Sequence, residues 1–75
     1  MSEPQKEIIK LTEKDIPELA PKENATEGTC CCYYKKDWAG YWEKMYCTDI
    51  HSTESECSSK RPHEAEAYSW SPYSC

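Results

Sequence analysis

Cys30-Cys31-Cys32-Tyr33-Tyr34 sets three consecutive cysteines in front of two tyrosines, and the other three cysteines, Cys47, Cys57 and Cys75, stand apart downstream. Adjacent cysteines rarely bond each other, because a disulfide needs Cα separations and Cβ directions that chain neighbours do not offer. A Cys30–Cys32 bond is strained as well. With no bond inside the cluster, each of its cysteines must reach a distant one, which leaves only the ways of matching three to three. The cluster is then a hub that holds three later segments. Read as a strand from Cys30 to Tyr34, it points Cys30 and Cys32 to one side and Cys31 to the other. One strand would thus tether elements on both its faces, with Lys35-Lys36-Asp37 ending it.

Outward from the hub, the composition explains why staples are needed. The chain has 75 residues with no Val and no Phe, and after Cys30 its only branched aliphatic residue is Ile50. A domain of this size buries too little apolar surface to be secure without cross-links. Three disulfides closing loops of about 15 residues or more would each contribute roughly 3 kcal/mol by restricting the unfolded chain. The fold class expected is a small disulfide-rich domain spanning 30–75. It would have a short strand at the cysteine cluster, a short helix near 38–47 and little other regular structure.

The helix expectation rests on spacing. Trp38, Tyr41, Trp42, Met45 and Tyr46 recur at i, i+3, i+4, i+7 and i+8, one face of a helix, behind Asp37 as an N-cap. Gly40 counts against it by about 1 kcal/mol relative to Ala. The aromatic stripe is expected to be mostly core, in place of the missing aliphatics, with Cys47 tying its end to the hub. Further on, Thr53-Glu54-Ser55-Glu56 fits a capping box, so a turn of helix is expected around Cys57 and before Pro62. Pro62 can start another short turn. The aromatic stretch Tyr68-Ser69-Trp70-Ser71-Pro72-Tyr73-Ser74-Cys75 reads as turn-like and pinned by Cys75.

Residues 1–29 differ in kind. They contain no cysteine and no aromatic residue, and carry seven acids and four lysines. They read as a flexible acidic tail or linker. Ile8, Ile9, Leu11, Ile16 and Leu19 are the exception, as a docking motif or as a strand laid against the folded half. Asn24-Ala25-Thr26 is an N-glycosylation sequon, which makes Asn24 a glycosylation candidate.

The chain's formal net charge is −5, and residues 30–75 hold seven acids against five basic residues. That balance gives no footprint for nucleic acid. No run of 18 apolar residues is present, so no membrane span is expected. An even number of cysteines in a small chain points to an oxidising compartment, hence a secreted or extracellular protein. Residues 1–29 contain no apolar signal segment. Either Met1 replaces a removed signal, which is the reading taken, or the protein is made in the cytosol.

Catalysis by cysteine needs a free thiolate and a positioned base. Six cysteines that can all pair leave no thiol for it, and the two histidines and scattered carboxylates form no catalytic constellation. No enzyme activity, cofactor or metal is expected. One alternative is a Cys/His zinc-binding domain, using Cys47-x3-His51, Cys57-x5-His63 and the cluster, although the usual paired knuckles are missing. A second is a precursor of a ribosomally made modified peptide, with leader 1–28 and core 29–75. Thr53-Glu54-Ser55-Glu56-Cys57 faintly resembles the Thr-x-Glu-Cys region of some lanthipeptides.

The leading expectation is a small secreted disulfide-rich protein-binding module, of the inhibitor, toxin or effector type. It would act as a monomer by occupying the surface of a protein target. Its expected anchors are the aromatics Trp70 and Tyr73 near Cys75, and Tyr33 and Tyr34 beside the hub.

Overall fold

The computed structural model describes residues 8–20, 23–24 and 26–75. Its centre is one long strand, β2 (Glu27–Lys36), in which Cys31 to Tyr34 are buried without interruption. A strand reads as alternating only when one face meets water, so four consecutive buried residues mean that both faces are covered. On one side β2 pairs antiparallel with β3 (Trp42–Thr48), and on the other with β4 (Ala67–Tyr73). β1, the two residues Ile9–Lys10, runs parallel to β4 and completes a four-stranded sheet ordered β1-β4-β2-β3.

The disulfides follow the alternation of β2. Cys30 bonds Cys75, Cys31 bonds Cys57, and Cys32 bonds Cys47. Cluster-to-distal pairing is therefore what the molecule has. Among the ways of matching three to three, it uses the nested one, each bond enclosing the next. Cys31 and Cys57 are fully buried beneath α1 (Glu54–Ser59), in a cluster with Tyr33, Ala65 and Tyr68. Cys32 lies on the opposite face with Leu11, Tyr34 and Ala67, flanked by Ile16, Leu19, Cys30 and Trp42.

Two clusters so small need their polar groups satisfied. Tyr33 is buried, and its hydroxyl donates to the Cys57 carbonyl at 2.8 Å, joining β2 to α1. α1 begins as the capping box implies: Thr53 Oγ1 accepts from the Glu56 amide at 3.1 Å. The side chain of Glu56 accepts from Ser52 Oγ, at 3.3 Å.

The segment near 38–47 is not a helix. Asp37 does cap, but it caps a turn: its Oδ1 accepts from the amides of Ala39 (2.8 Å) and Tyr41 (3.0 Å). The Asp37 amide donates to the Tyr41 carbonyl, and the Gly40 amide donates back to the Asp37 carbonyl. Gly40 has φ +86°. This is a hairpin loop of a tight turn followed by a left-handed glycine. The residue that weakens a helix is the one the hairpin requires. Trp, Tyr and Thr then favour the pleated strand that follows. The register shifts between Tyr33 and Tyr34, which face Tyr46 and Lys44. Met45 is the extra residue of a bulge, and it turns toward the Tyr33 cluster. The spacing that imitates a helix is a two-residue alternation interrupted by a turn and a bulge.

The carboxyl-terminal stretch is also a strand, β4, rather than turn-like. At the other end, Leu11 is 3% exposed and its amide donates to the Tyr68 carbonyl at 2.8 Å. Of the readings of Ile8, Ile9 and Leu11, the geometry is that of a strand laid against the folded half. The sheet thus recruits residues 9–10 and 27–29, which the sequence assigns to a tail. Residues 1–7 of that tail lie outside the described residues, as do 21, 22 and 25.

Candidate functional site

The hairpin tip between β2 and β3 carries the most exposed aromatic side chains of the described residues. Trp38 is 98% exposed and Tyr41 73%. Their backbone is held by Asp37 from within and by the Cys32–Cys47 bond at the base of the hairpin, where the two cysteines face each other in register. Trp42, one residue further, is different: it is half-buried and the Lys36 ammonium sits 5.1 Å from its ring centre. An exposed aromatic on a backbone this constrained is a fixed projection, not a side chain that folds back onto its own core.

The expected anchors are distributed otherwise. Tyr33 and Tyr34 are 0% and 4% exposed. They are core residues, because the strand they extend is covered on both faces, and no partner can reach them. Burial, and secondarily the neighbouring Tyr46, raises the Tyr33 hydroxyl above the ordinary tyrosine value. Trp70 is half-buried against the Tyr33 cluster and its ring N–H donates to the His51 carbonyl at 3.4 Å. Tyr73 is exposed at the end of β4. Trp70 and Tyr73 stand three apart on one strand and so face opposite sides of the sheet. Asn24 is exposed in a turn.

No match to this chain is found among protein-family models, curated proteins or solved structures.

The histidines do not join the cysteines that precede them. His51 is buried and meets the Tyr33 ring edge-on at 6.4 Å between centres. His63 is exposed in the turn after Pro62. Cys47 and Cys57 turn instead to their disulfide partners. Among the described residues, Cys30, Cys32 and Cys47 have sulfurs that all lie within 4.8 Å of one another, each of them in a disulfide. They border a cleft of about 1060 Å³ on the Cys32 face, whose walls include Leu11, Leu19, Lys44, Tyr73 and Cys75.

A polar cluster braces the opposite face. Tyr68 Oη donates to Glu54 Oε1 at 2.9 Å, and Lys10 Nζ sits 2.7 Å from the same oxygen. The hydrogen bond from Lys10, then that from Tyr68, hold the Glu54 carboxyl below its usual range. Burial, then the bond to Glu54, pushes the Tyr68 hydroxyl up to about 12. The three groups link β1, β4 and α1. Their role is architectural, since each already satisfies another.

Proposed function

We propose that this protein is a small secreted protein-binding module that acts by occupying the surface of a protein target, as inhibitors, toxins and effectors do. The observation that supports the reading best is the hairpin tip, where Trp38 and Tyr41 project from a disulfide-closed loop. Trp and Tyr are over-represented among residues that dominate binding energy. A loop already fixed in its binding conformation loses little entropy on association. The three disulfides fit an oxidising, extracellular setting. Trp38 and Tyr41 are the anchors, and Tyr73 is a secondary contact.

The test separates binding from folding. Trp38 makes almost no contact with the rest of the chain, so Trp38→Ala should change stability by less than about 0.5 kcal/mol. The same substitution should weaken target binding by about 2 kcal/mol or more. A photo-crosslinking residue placed at position 41 of the full chain identifies the target, and titration calorimetry then compares wild type with Trp38→Ala. If Trp38→Ala and Tyr41→Ala bind the crosslinked target as wild type does, the reading is wrong.

A further inference from the structure

We propose that, once its two accessible disulfides are reduced, the chain presents Cys30, Cys32, Cys47 and Cys75 as a thiolate site for a zinc- or cadmium-class divalent cation. The site follows from where β2 puts its sulfurs. Cys30 and Cys32 share a face, and their Sγ atoms are 3.6 Å apart although each is bonded elsewhere. Cys47, paired in register with Cys32, brings a third sulfur within 4.8 Å of both. Four sulfurs around zinc, at bonds of about 2.3 Å, stand about 3.8 Å from each other. The Cys30 and Cys32 sulfurs are already near that spacing while oxidised, and Cys47 is held beside them by its bond to Cys32. The fourth, Cys75, is bonded to Cys30 and lies two residues beyond the end of β4. The last backbone bond before it is that of the Ser74 amide to the Thr26 carbonyl. Opening both bonds requires sulfurs now about 2 Å apart to separate by the width of an ion, and Cys75 is placed to move.

Selectivity comes from burial. Cys47 and Cys75 are exposed, so an attacking thiol or phosphine can reach a sulfur of the Cys32–Cys47 bond and of the Cys30–Cys75 bond. Cys31 and Cys57 are both fully buried beneath α1. The Cys31–Cys57 bond should therefore outlast the other two and keep α1 and the Tyr33 cluster in place. A dithiol is a sufficient reductant. Each molecule gives two electrons to one bond and becomes its own cyclic disulfide, so two molecules yield four protein thiols. A divalent ion then displaces four protons to give a tetrathiolate of net charge −2. Lys44 in the wall of the same cleft offsets part of that charge. Two equivalents of a small disulfide oxidant reverse the sequence and release the ion. Histidine has no part in it, so the donor set differs from the Cys/His spacing visible in the sequence.

The full chain is treated with a limiting amount of a water-soluble phosphine and titrated with cadmium chloride alone. Uptake is followed by sulfur-to-cadmium charge-transfer absorption, and alkylation with mass mapping locates the ligands. The expected result is no uptake by the oxidised chain and one cadmium per chain after mild reduction. Cys30, Cys32, Cys47 and Cys75 should be shielded from alkylation, and Cys31–Cys57 should still be bonded. Cys47→Ser should abolish the one-to-one uptake while leaving the Cys31–Cys57 bond intact. No uptake by the reduced chain, uptake unaffected by Cys47→Ser, or shielding that includes Cys31 and Cys57 would each overturn the proposal. Unfolding of the chain on loss of the Cys30–Cys75 and Cys32–Cys47 bonds would overturn it too.

Discussion

Removing the disulfides one at a time should reveal a ranking that chain entropy alone does not give. The bonds span 15, 26 and 45 residues. Taken separately, loops of those lengths restrict the unfolded chain by about 3.0, 3.5 and 4.0 kcal/mol. Nesting changes this. With Cys32–Cys47 closed, the path that Cys31–Cys57 closes shortens to about a dozen residues, worth about 2.8 kcal/mol. With that closed, Cys30–Cys75 closes about 20 residues, worth about 3.3 kcal/mol. Opening a single bond of the intact set then costs about 2.3 kcal/mol for Cys32–Cys47, 2.5 for Cys31–Cys57 and 3.3 for Cys30–Cys75. Packing moves Cys31–Cys57 to the top of that order. Both sulfurs of Cys31–Cys57 are fully buried in the cluster with Tyr33 and Tyr68, whereas Cys47 and Cys75 are exposed. Replacing that buried pair by alanines leaves a void, adding about 2 kcal/mol. The Cys31→Ala/Cys57→Ala chain should therefore be the least stable of the three double variants, at about 4 to 5 kcal/mol below wild type. Urea unfolding of each variant checks it, with slopes fitted separately because an uncrosslinked chain exposes more surface when unfolded. If the Cys30→Ala/Cys75→Ala chain is the least stable, loop entropy rules and burial of the Cys31–Cys57 pair does not decide the ranking.

Three further outcomes are expected. Tyr33→Phe leaves the Cys57 carbonyl without its donor and should cost about 1–3 kcal/mol in a denaturation experiment while target binding is unchanged. Gly40→Ala forces a Cβ into a positive-φ position and should cost about 1–2 kcal/mol. It should also weaken target binding through displacement of Trp38, as read by calorimetry. The folded chain holds the Tyr68 proton up to about pH 12, against an ordinary tyrosine value of 10.0. The folded form therefore binds that proton more tightly than the unfolded one, so this contribution is full below about pH 10 and falls as pH rises through about 12. Denaturation across that range should show stability declining, and Tyr68→Phe should flatten the decline.

The hub was legible because its constraint is covalent and local: three adjacent cysteines leave few ways out. The capping box at Thr53 was legible because it is local, needing only the four residues Thr53 to Glu56. The helix near 38–47 was misread because a short window cannot distinguish a helical face from a strand, turn and bulge. The discriminating signal is long-range. Residues 36 and 42, 35 and 43, and 34 and 44 pair symmetrically about the Asp37–Tyr41 turn, and Cys32 meets Cys47 once Met45 is counted as a bulge. Asp37-Trp38-Ala39-Gly40, placed midway between two cysteines that bond, is thus a hairpin signature. Reading it would have moved Trp38 from core to surface and Tyr33 and Tyr34 from surface to core. The role of Ile9 and Leu11 was open because their partner, β4, lies nearly 60 residues away and adjacency in the chain says nothing of it.

The nesting of the three bonds has a consequence for the fate of the molecule among proteases. Every peptide bond from Cys32 to Cys47 lies inside all three rings, those from Cys47 to Cys57 inside two, and those from Cys57 to Cys75 inside one. A single cut anywhere in that span opens a ring but releases no fragment. The depth of enclosure is greatest around Trp38, on the protruding loop where a protease would find the chain easiest to grip. A cut in this exposed loop would leave severed ends held within all three rings.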